Sequence, residues 1–171
     1  MKKIILVAIL ALGISFSTSA QTPVFQKGTK VGSVGVGFGS YGIPVELSMM
    51  WGVYNNVFGL NGLNSGVGAY LGISSYNEKW GSYKYHHNIF YPGLRGQLNY
   101  TIVDNLEVYG GLLLGFIIWS SDDDDYLGSH KSGLGLGGYA GLRYYFNNRV
   151  GIYVEGGYGI TNGTIGLSFK F

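Results

Sequence analysis

Gly163-Thr-Ile-Gly-Leu-Ser-Phe-Lys-Phe171 decides how this chain is read. Ile165, Leu167, Phe169 and Phe171 share one parity, and Gly166, Ser168 and Lys170 take the other. Successive side chains of a strand point to opposite faces, so the run has an apolar face backed by a small or polar one. A helix would space its apolar residues at three and four, and this run does not.

Working back along the chain, the same period of two recurs. Near 150–160, Val150, Ile152, Val154, Tyr158 and Ile160 oppose Tyr153, Glu155 and Gly157. Near 133–146, Leu134, Leu136, Ala140, Leu142, Tyr144 and Phe146 oppose Gly135, Gly137, Tyr139, Gly141 and Arg143. Near 106–118, Leu106, Val108, Leu112, Leu114, Phe116 and Ile118 oppose Glu107, Tyr109 and Gly111, with Leu113 and Ile117 weakening the alternation. Near 87–101, Phe90, Leu94, Leu98 and Tyr100 oppose Tyr91, Arg95, Gln97 and Asn99. Pro92 removes a ladder donor there, so a bulge or a shorter strand is expected. Near 65–75, Val67, Ala69, Leu71 and Ile73 oppose Gly66, Gly68, Tyr70 and Gly72. Near 43–53, Ile43, Val45, Leu47, Met49, Trp51 and Val53 oppose Glu46 and Ser48. Near 29–39, Val34, Val36 and Phe38 oppose Ser33, Gly35 and Gly37. A slip of one residue would exchange the faces, yet no strongly charged residue lands mid-strand on an apolar one.

Composition narrows what such strands build. Glycine is 31 of 171 residues, against about 7% on average. Aromatic residues make up 16% and charged residues only 12%, where soluble domains carry about 25%. No run after the first 20 residues is apolar for the ~18 residues a spanning helix needs. Residues 1–20 read as a secretory signal: Lys2 and Lys3, an apolar Ile4–Ile14, then Thr18-Ser19-Ala20 before a cleavage ahead of Gln21. The mature chain, 21–171, then has 11 − 2 = 9 basic residues against 9 acidic ones. That balance gives no electrostatic footprint for nucleic acid. The absence of cysteine excludes disulfides and a lipidated Cys. An exported, charge-poor chain of alternating strands is expected to be an all-β fold, an eight-stranded antiparallel up-and-down transmembrane β-barrel.

Connections alternate in character. Turns facing the periplasm are expected at 54–64, at Val103-Asp104-Asn105 and at Asn147-Asn148-Arg149. Outer loops are expected at 39–43, 75–87, 119–132 and 161–163, of which 75–87 and 119–132 are long and polar.

The closing Ile165-Gly-Leu-Ser-Phe-Lys-Phe171 resembles the C-terminal assembly signal of outer-membrane barrels, whose last strand alternates and ends on an aromatic, here Phe169 and Phe171. The whole of 22–171 is similar to the OmpA/OmpX class of small barrels and to the short porin-like barrels of Bacteroidetes-type bacteria. That resemblance implies the outer membrane of a Gram-negative bacterium, insertion by the assembly machinery, contact with outer-membrane lipid and lipopolysaccharide, and a filled lumen. A monomer is expected. The class includes adhesins, structural proteins, pores and lipid-modifying enzymes, so one activity does not follow.

The inward face collects Glu46, Arg95, Glu107, Arg143, Glu155 and Lys170. An eight-stranded barrel is just wide enough for side chains to fill, so these charges must pair. Hairpin register puts Arg143 a diagonal step from Glu155, with Glu107 a second neighbour whose register is open. Trp51, Tyr100, Trp119, Tyr144 and Phe146 lie near segment ends, as interfacial aromatic girdles require. Asp122 to Asp125 form an acidic run in the longest loop; consecutive carboxylates do not converge on one cation, so a solvated loop is expected. His86, His87 and His130 lack a converging further ligand for zinc. No cofactor or metal is therefore expected.

His130-Lys131-Ser132 places a base and a hydroxyl at i and i+2, and resembles the dyad of outer-membrane lipid A deacylases. The surrounding pattern of that family is missing. The leading expectation is a non-enzymatic structural or surface-interaction barrel, with an extracellular ligand meeting 75–87 or 119–132. A narrow porin passing small solutes comes second and a lipid A-modifying enzyme third.

Overall fold

The computed structural model describes residues 23–39, 42–80, 83–121, 132–158 and 160–171, with side chains described over the same residues except 76–80, 83–87 and 121. Alternation and closure give one architecture. Eight strands, β1 (Lys30–Phe38), β2 (Val45–Tyr54), β3 (Leu63–Trp80), β4 (Tyr83–Val103), β5 (Leu106–Ser121), β6 (Gly133–Tyr145), β7 (Val150–Tyr158) and β8 (Gly163–Lys170), pair in chain order. β8 pairs back on β1, from Val31↔Lys170 to Phe38↔Gly163, so the sheet closes into a barrel. Closure leaves no edge within the wall, which lipid would not tolerate. The first described residues, the C-terminus and the β2–β3, β4–β5 and β6–β7 turns lie at one end, the terminal end. The other connections make up the loop end.

Faces follow the alternation. Val34, Val36, Leu47, Trp51, Val67, Leu94, Leu112, Leu134, Leu142 and Ile165 are exposed on the outer wall, while Ser33, Glu46, Tyr70, Arg95, Tyr109, Arg143 and Ser168 are buried inside. Leu113 is buried, and Ile117 packs against the interior cluster, so the two residues that weaken alternation in β5 do point inward.

The tight turns form for local reasons. Asn105 takes a left-handed conformation (φ 66°), which lets Val103 and Leu106 pair across Asp104-Asn105. Asn147 Oδ1 accepts the backbone N–H groups of Arg149 and Val150 at 2.9 and 2.8 Å, holding the β6–β7 turn from its own side chain.

Four expectations need correction. Pro92 neither bulges β4 nor shortens it. On the β3 side the register runs unbroken through Leu71↔Pro92. On the β5 side the ladder lapses at Tyr91 and Pro92 and resumes at Gly93↔Gly115 without a shift. Proline thus costs a gap in one ladder while the neighbouring ladder holds the strand.

Secondly, 75–87 is not a long loop. β3 and β4 pair continuously up to Trp80↔Tyr83, so the connection is 81–82. Residues 75–87 are polar or aromatic on both parities, so alternation stops carrying information and the hairpin reads as a loop. Thirdly, the outer loop at 119–132 starts later, because β5 runs to Ser121. Residues 122–131 lie outside the described residues, as do 1–20 and hence the signal segment.

Finally, Trp119 is not a girdle residue. It sits on the inward parity of β5 and packs against the buried cluster.

Before β1 the chain crosses the terminal mouth. Val24 and Phe25 are buried. Val24 N donates to Thr101 Oγ1 on β4 at 2.9 Å, and Asn64 Nδ2 on β3 donates to the Phe25 carbonyl at 2.7 Å. This strap was not foreseen, since two apolar residues in Pro23-Val24-Phe25-Gln26 make no period.

Candidate functional site

The lumen is the part of the molecule where chemistry converges. Its side chains come from alternate residues of all the strands, and they arrange in three zones.

At the loop end the filling is apolar and aromatic. Ile89, Tyr91, Leu113 and Ile160 are buried together, joined by Ile117 and Trp119. Tyr70 and Tyr91 meet edge to face with ring centroids 5.8 Å apart, a favoured aromatic geometry.

In the middle zone charge is met by charge and by hydroxyls. Arg95 Nη2 donates to Glu155 Oε1 at 2.5 Å. Tyr109 OH donates to the other oxygen of Glu155 at 3.1 Å. The Arg95 guanidinium also lies 3.5 Å from the centroid of the Tyr139 ring, where the ring face attracts a cation. Among the described residues Glu46 is met by hydroxyls and not by a cation. Its Oε1 accepts Tyr70 OH at 2.8 Å and Thr161 Oγ1 at 2.6 Å, and its Oε2 accepts Thr164 Oγ1 at 3.0 Å. Three hydroxyls here do what a cation would otherwise do. Between Glu46, Tyr70, Arg95, Tyr139 and Glu155 lies a cavity of about 20 Å³, room for about one water.

Toward the terminal end Arg143 Nη1 donates to Glu107 Oε1 at 2.5 Å. Its Nε donates to Ser168 Oγ at 3.0 Å, and Ser168 bonds Ser33 at 2.9 Å. Lys170 Nζ lies 4.8 Å from the centroid of Tyr145. Beneath them Gln97 Nε2 donates to Asn99 Oδ1 at 2.5 Å, and the strap covers the β2–β4 side of the mouth, with an open pocket between it and Arg149 and Lys170 on the other side.

Glu155 does stand a diagonal step from Arg143 across β6–β7, as expected, but the ion pair forms with Glu107, whose register the sequence left open. Glu107↔Arg143 are direct cross-strand partners, whereas Arg143 faces Tyr153 and Glu155 faces Gly141 across β6–β7. Glu155 reaches over the lumen to β4 instead. All six charges face inward, but as two separate ion pairs, a hydroxyl-bound carboxylate and a lysine over a ring.

Sequence reading missed what fills the space between the charges. Tyrosine rings lie over glycines of strands one or two places away. A Cβ at Gly141 would meet the Tyr109 ring, one at Gly111 the Tyr139 ring, and one at Gly35 the Tyr153 hydroxyl. Inward glycine and inward tyrosine are thus two halves of one packing, and this accounts for part of the abundance of both. The signal was present as Gly and Tyr on one parity, but alternation does not say which ring covers which glycine.

The remaining candidates are placed as follows. Trp51, Tyr144 and Phe146 are exposed on the outer wall near the terminal end, Tyr144 and Phe146 edge to face at 5.7 Å, and Tyr100 is half-buried there. Toward the loop end Phe38 and Tyr158 are exposed, as are Phe90 and Phe116. Phe171 N donates to the Lys30 carbonyl at 2.9 Å, tying the chain's last residue to the base of β1. Phe169 pairs with Gly32 on one side and Val150 on the other. Ser132 Oγ accepts the Trp119 N–H at 3.1 Å. Its partner His130, and Asp122 to Asp125, lie outside the described residues. No group of three or more His, Cys, Asp or Glu among the described residues is placed to hold a metal.

No protein-family model matches the chain, and no curated protein does. Solved structures do. A de novo designed transmembrane β-barrel is 18% identical, with a TM-score of 0.52 over 85% of this chain and 98% of that one. Ail, the attachment invasion locus protein of Yersinia pestis, in complex with the heparin analogue sucrose octasulfate, is 13% identical, with a TM-score of 0.53 over 84% of this chain and 96% of that one. At these identities the likeness is one of fold: the chain folds as an eight-stranded transmembrane β-barrel.

Proposed function

We propose that this chain is a non-enzymatic, non-conducting barrel of a Gram-negative outer membrane, exported by a signal peptide of residues 1–20 and working as a monomer. The barrel fixes one outward-projecting hairpin for contact with other surface molecules. The observation that carries this reading is the filled lumen: rings at one end, ion pairs in the middle, a strap at the other, and a cavity of about 20 Å³ between Glu46 and Arg95. A hydrated ion needs a continuous polar path, and Ile89, Tyr91 and Leu113 interrupt it.

The hairpin supports the surface role. β3 continues from Ile73, its last partner on β2, to Trp80, a reach of roughly 20 Å at about 3.3 Å per residue. Its residues are mostly polar, so it belongs in water above the wall. The rings of Trp51, Tyr100, Tyr144 and Phe146 at the terminal rim, and Phe38 and Tyr158 at the loop rim, suit the two lipid interfaces. The terminal end then faces the periplasm, the C-terminal Phe169 and Phe171 serve recognition by the assembly machinery, and lipopolysaccharide surrounds the loop end. The heparin analogue bound by the Yersinia protein is not carried over, because the Asp122 to Asp125 run would repel a polyanion at the neighbouring loop.

Single-channel recording in planar bilayers tests this. The purified barrel is expected to show no unitary conductance. Discrete openings would favour the narrow porin.

A further inference from the structure

The strap at the terminal mouth is built into the wall rather than draped across it. It turns at Gln26–Thr29, where Thr29 N donates to the Gln26 carbonyl and Gln26 N to Thr29 Oγ1. It is then bonded to each strand base it passes. Gly28 N donates to the Gly52 carbonyl on β2 at 2.9 Å, and Gly52 N to the Thr29 carbonyl at 2.8 Å. Lys27 N donates to Asn55 Oδ1 at 2.6 Å, the Phe25 carbonyl is bonded by Asn64, and Val24 reaches Thr101 on β4.

The wall has notches for it. A Cβ at Gly52 would strike the Gln26 backbone, and one at Gly66 would meet the Phe25 ring at 2.7 Å. Phe25, 1% exposed, forms a small buried cluster with Val31 and Met50, apart from the loop-end cluster. Gly28, at φ 90°, allows the turn from strap into β1.

Bonds to three strands, two glycine notches and a buried ring exceed what tethering a terminus requires. We propose that residues 23–29 are a plug that keeps water and small solutes out of the terminal half of the lumen, independently of the ion pairs and rings that fill the rest. Seated, it covers Asn64, Asn99 and Thr101, all buried beneath it. Displaced, it leaves a polar vestibule that ends at the Arg143–Glu107 pair.

The chain has no cysteine, so thiols placed singly report access cleanly. Asn99→Cys lies in the terminal half, and Ile89→Cys in the loop-end cluster serves as the reference. Each is made in the full mature chain and in one lacking residues 21–28. The folded barrels, in lipid nanodiscs, are treated with a charged, membrane-impermeant methanethiosulfonate. Removing the strap is expected to speed labelling at the Asn99 position at least tenfold and to leave the Ile89 position unchanged. Equal rates at the Asn99 position with and without the strap would overturn the plug. So would a parallel rise at both positions, which would mean general loosening.

If the shortened chain does not fold, the full-length Phe25→Asp, Gly66→Leu double variant displaces the strap by charge and bulk and is read in the same way. Failure of the non-conducting reading shows instead as openings of the unmodified barrel, so the two ideas fail separately.

Discussion

Toward the terminal end Arg143 and Glu107 meet at 3% and 0% side-chain exposure, with Ser168 and Ser33 completing the network. In the middle zone Arg95 and Glu155 meet at 5% and 10%, and Glu155 has a second donor in Tyr109. One pair joins adjacent strands as a direct cross-strand contact. The other spans the lumen and leans on tyrosines and hydroxyls. The first site has a charge that cannot be abandoned, while the second has neighbours able to take over part of the work.

The comparison can be broken by substitution. Glu107→Ala strands a fully buried guanidinium, and breaking such a pair costs about 3–5 kcal/mol. Urea titration of the barrel in lipid vesicles should show that loss. Glu155→Ala should cost less in the same titration, because Arg95 keeps the closer ring face, Tyr139 at 3.5 Å against Tyr109 at 4.6 Å for Arg143, and a slightly wetter site. Equal losses would mean that the two pairs are interchangeable. Gly111→Val drives side-chain carbon into the Gly96 carbonyl of β4 as well as the Tyr139 ring, so it should cost at least the upper end of the about 1–3 kcal/mol typical of overpacking. The ring that covers Gly111 is the one stacked on Arg95, so the near-ultraviolet tyrosine dichroism should change as well.

Thr161→Val removes one of three hydroxyls from Glu46 and should cost about 1 kcal/mol, the net worth of an ordinary hydrogen bond. A much larger loss would mean that Glu46 depends on a single donor. The smallest effect is expected at the hairpin: replacing 76–87 with a two-residue turn should leave the heat-dependent gel shift of the folded barrel in place, because the wall is already closed below it.

The alternation made the wall legible. Val34, Leu47, Leu112 and Ile165 declare their face by parity alone, because lipid on one side and packed lumen on the other impose opposite demands on every strand. Parity also put all six charges inside. It did not supply partners. Parity tells which way a residue points, not where around the circumference its strand stands, so Arg95 on β4 and Glu155 on β7 meet only once β8 has found β1. The hairpin beyond Ser74 was hidden for the complementary reason: its residues are polar or aromatic on both parities. Trp119 was misplaced because its position near a segment end was given more weight than its parity, which it shares with Leu113 and Ile117. The strap was hidden because Val24 and Phe25 are buried by tertiary contact alone.

The bond from Val24 to Thr101 joins residues 77 positions apart. Contacts so distant along the chain form late, after the intervening loop closes. The seat of Phe25 is assembled from Gly66, Val31 and Met50, so it does not exist until the first three strands are in register. The first described segment is thus satisfied only after three later strands have formed. Until then an unfinished sheet has nowhere to hide that ring.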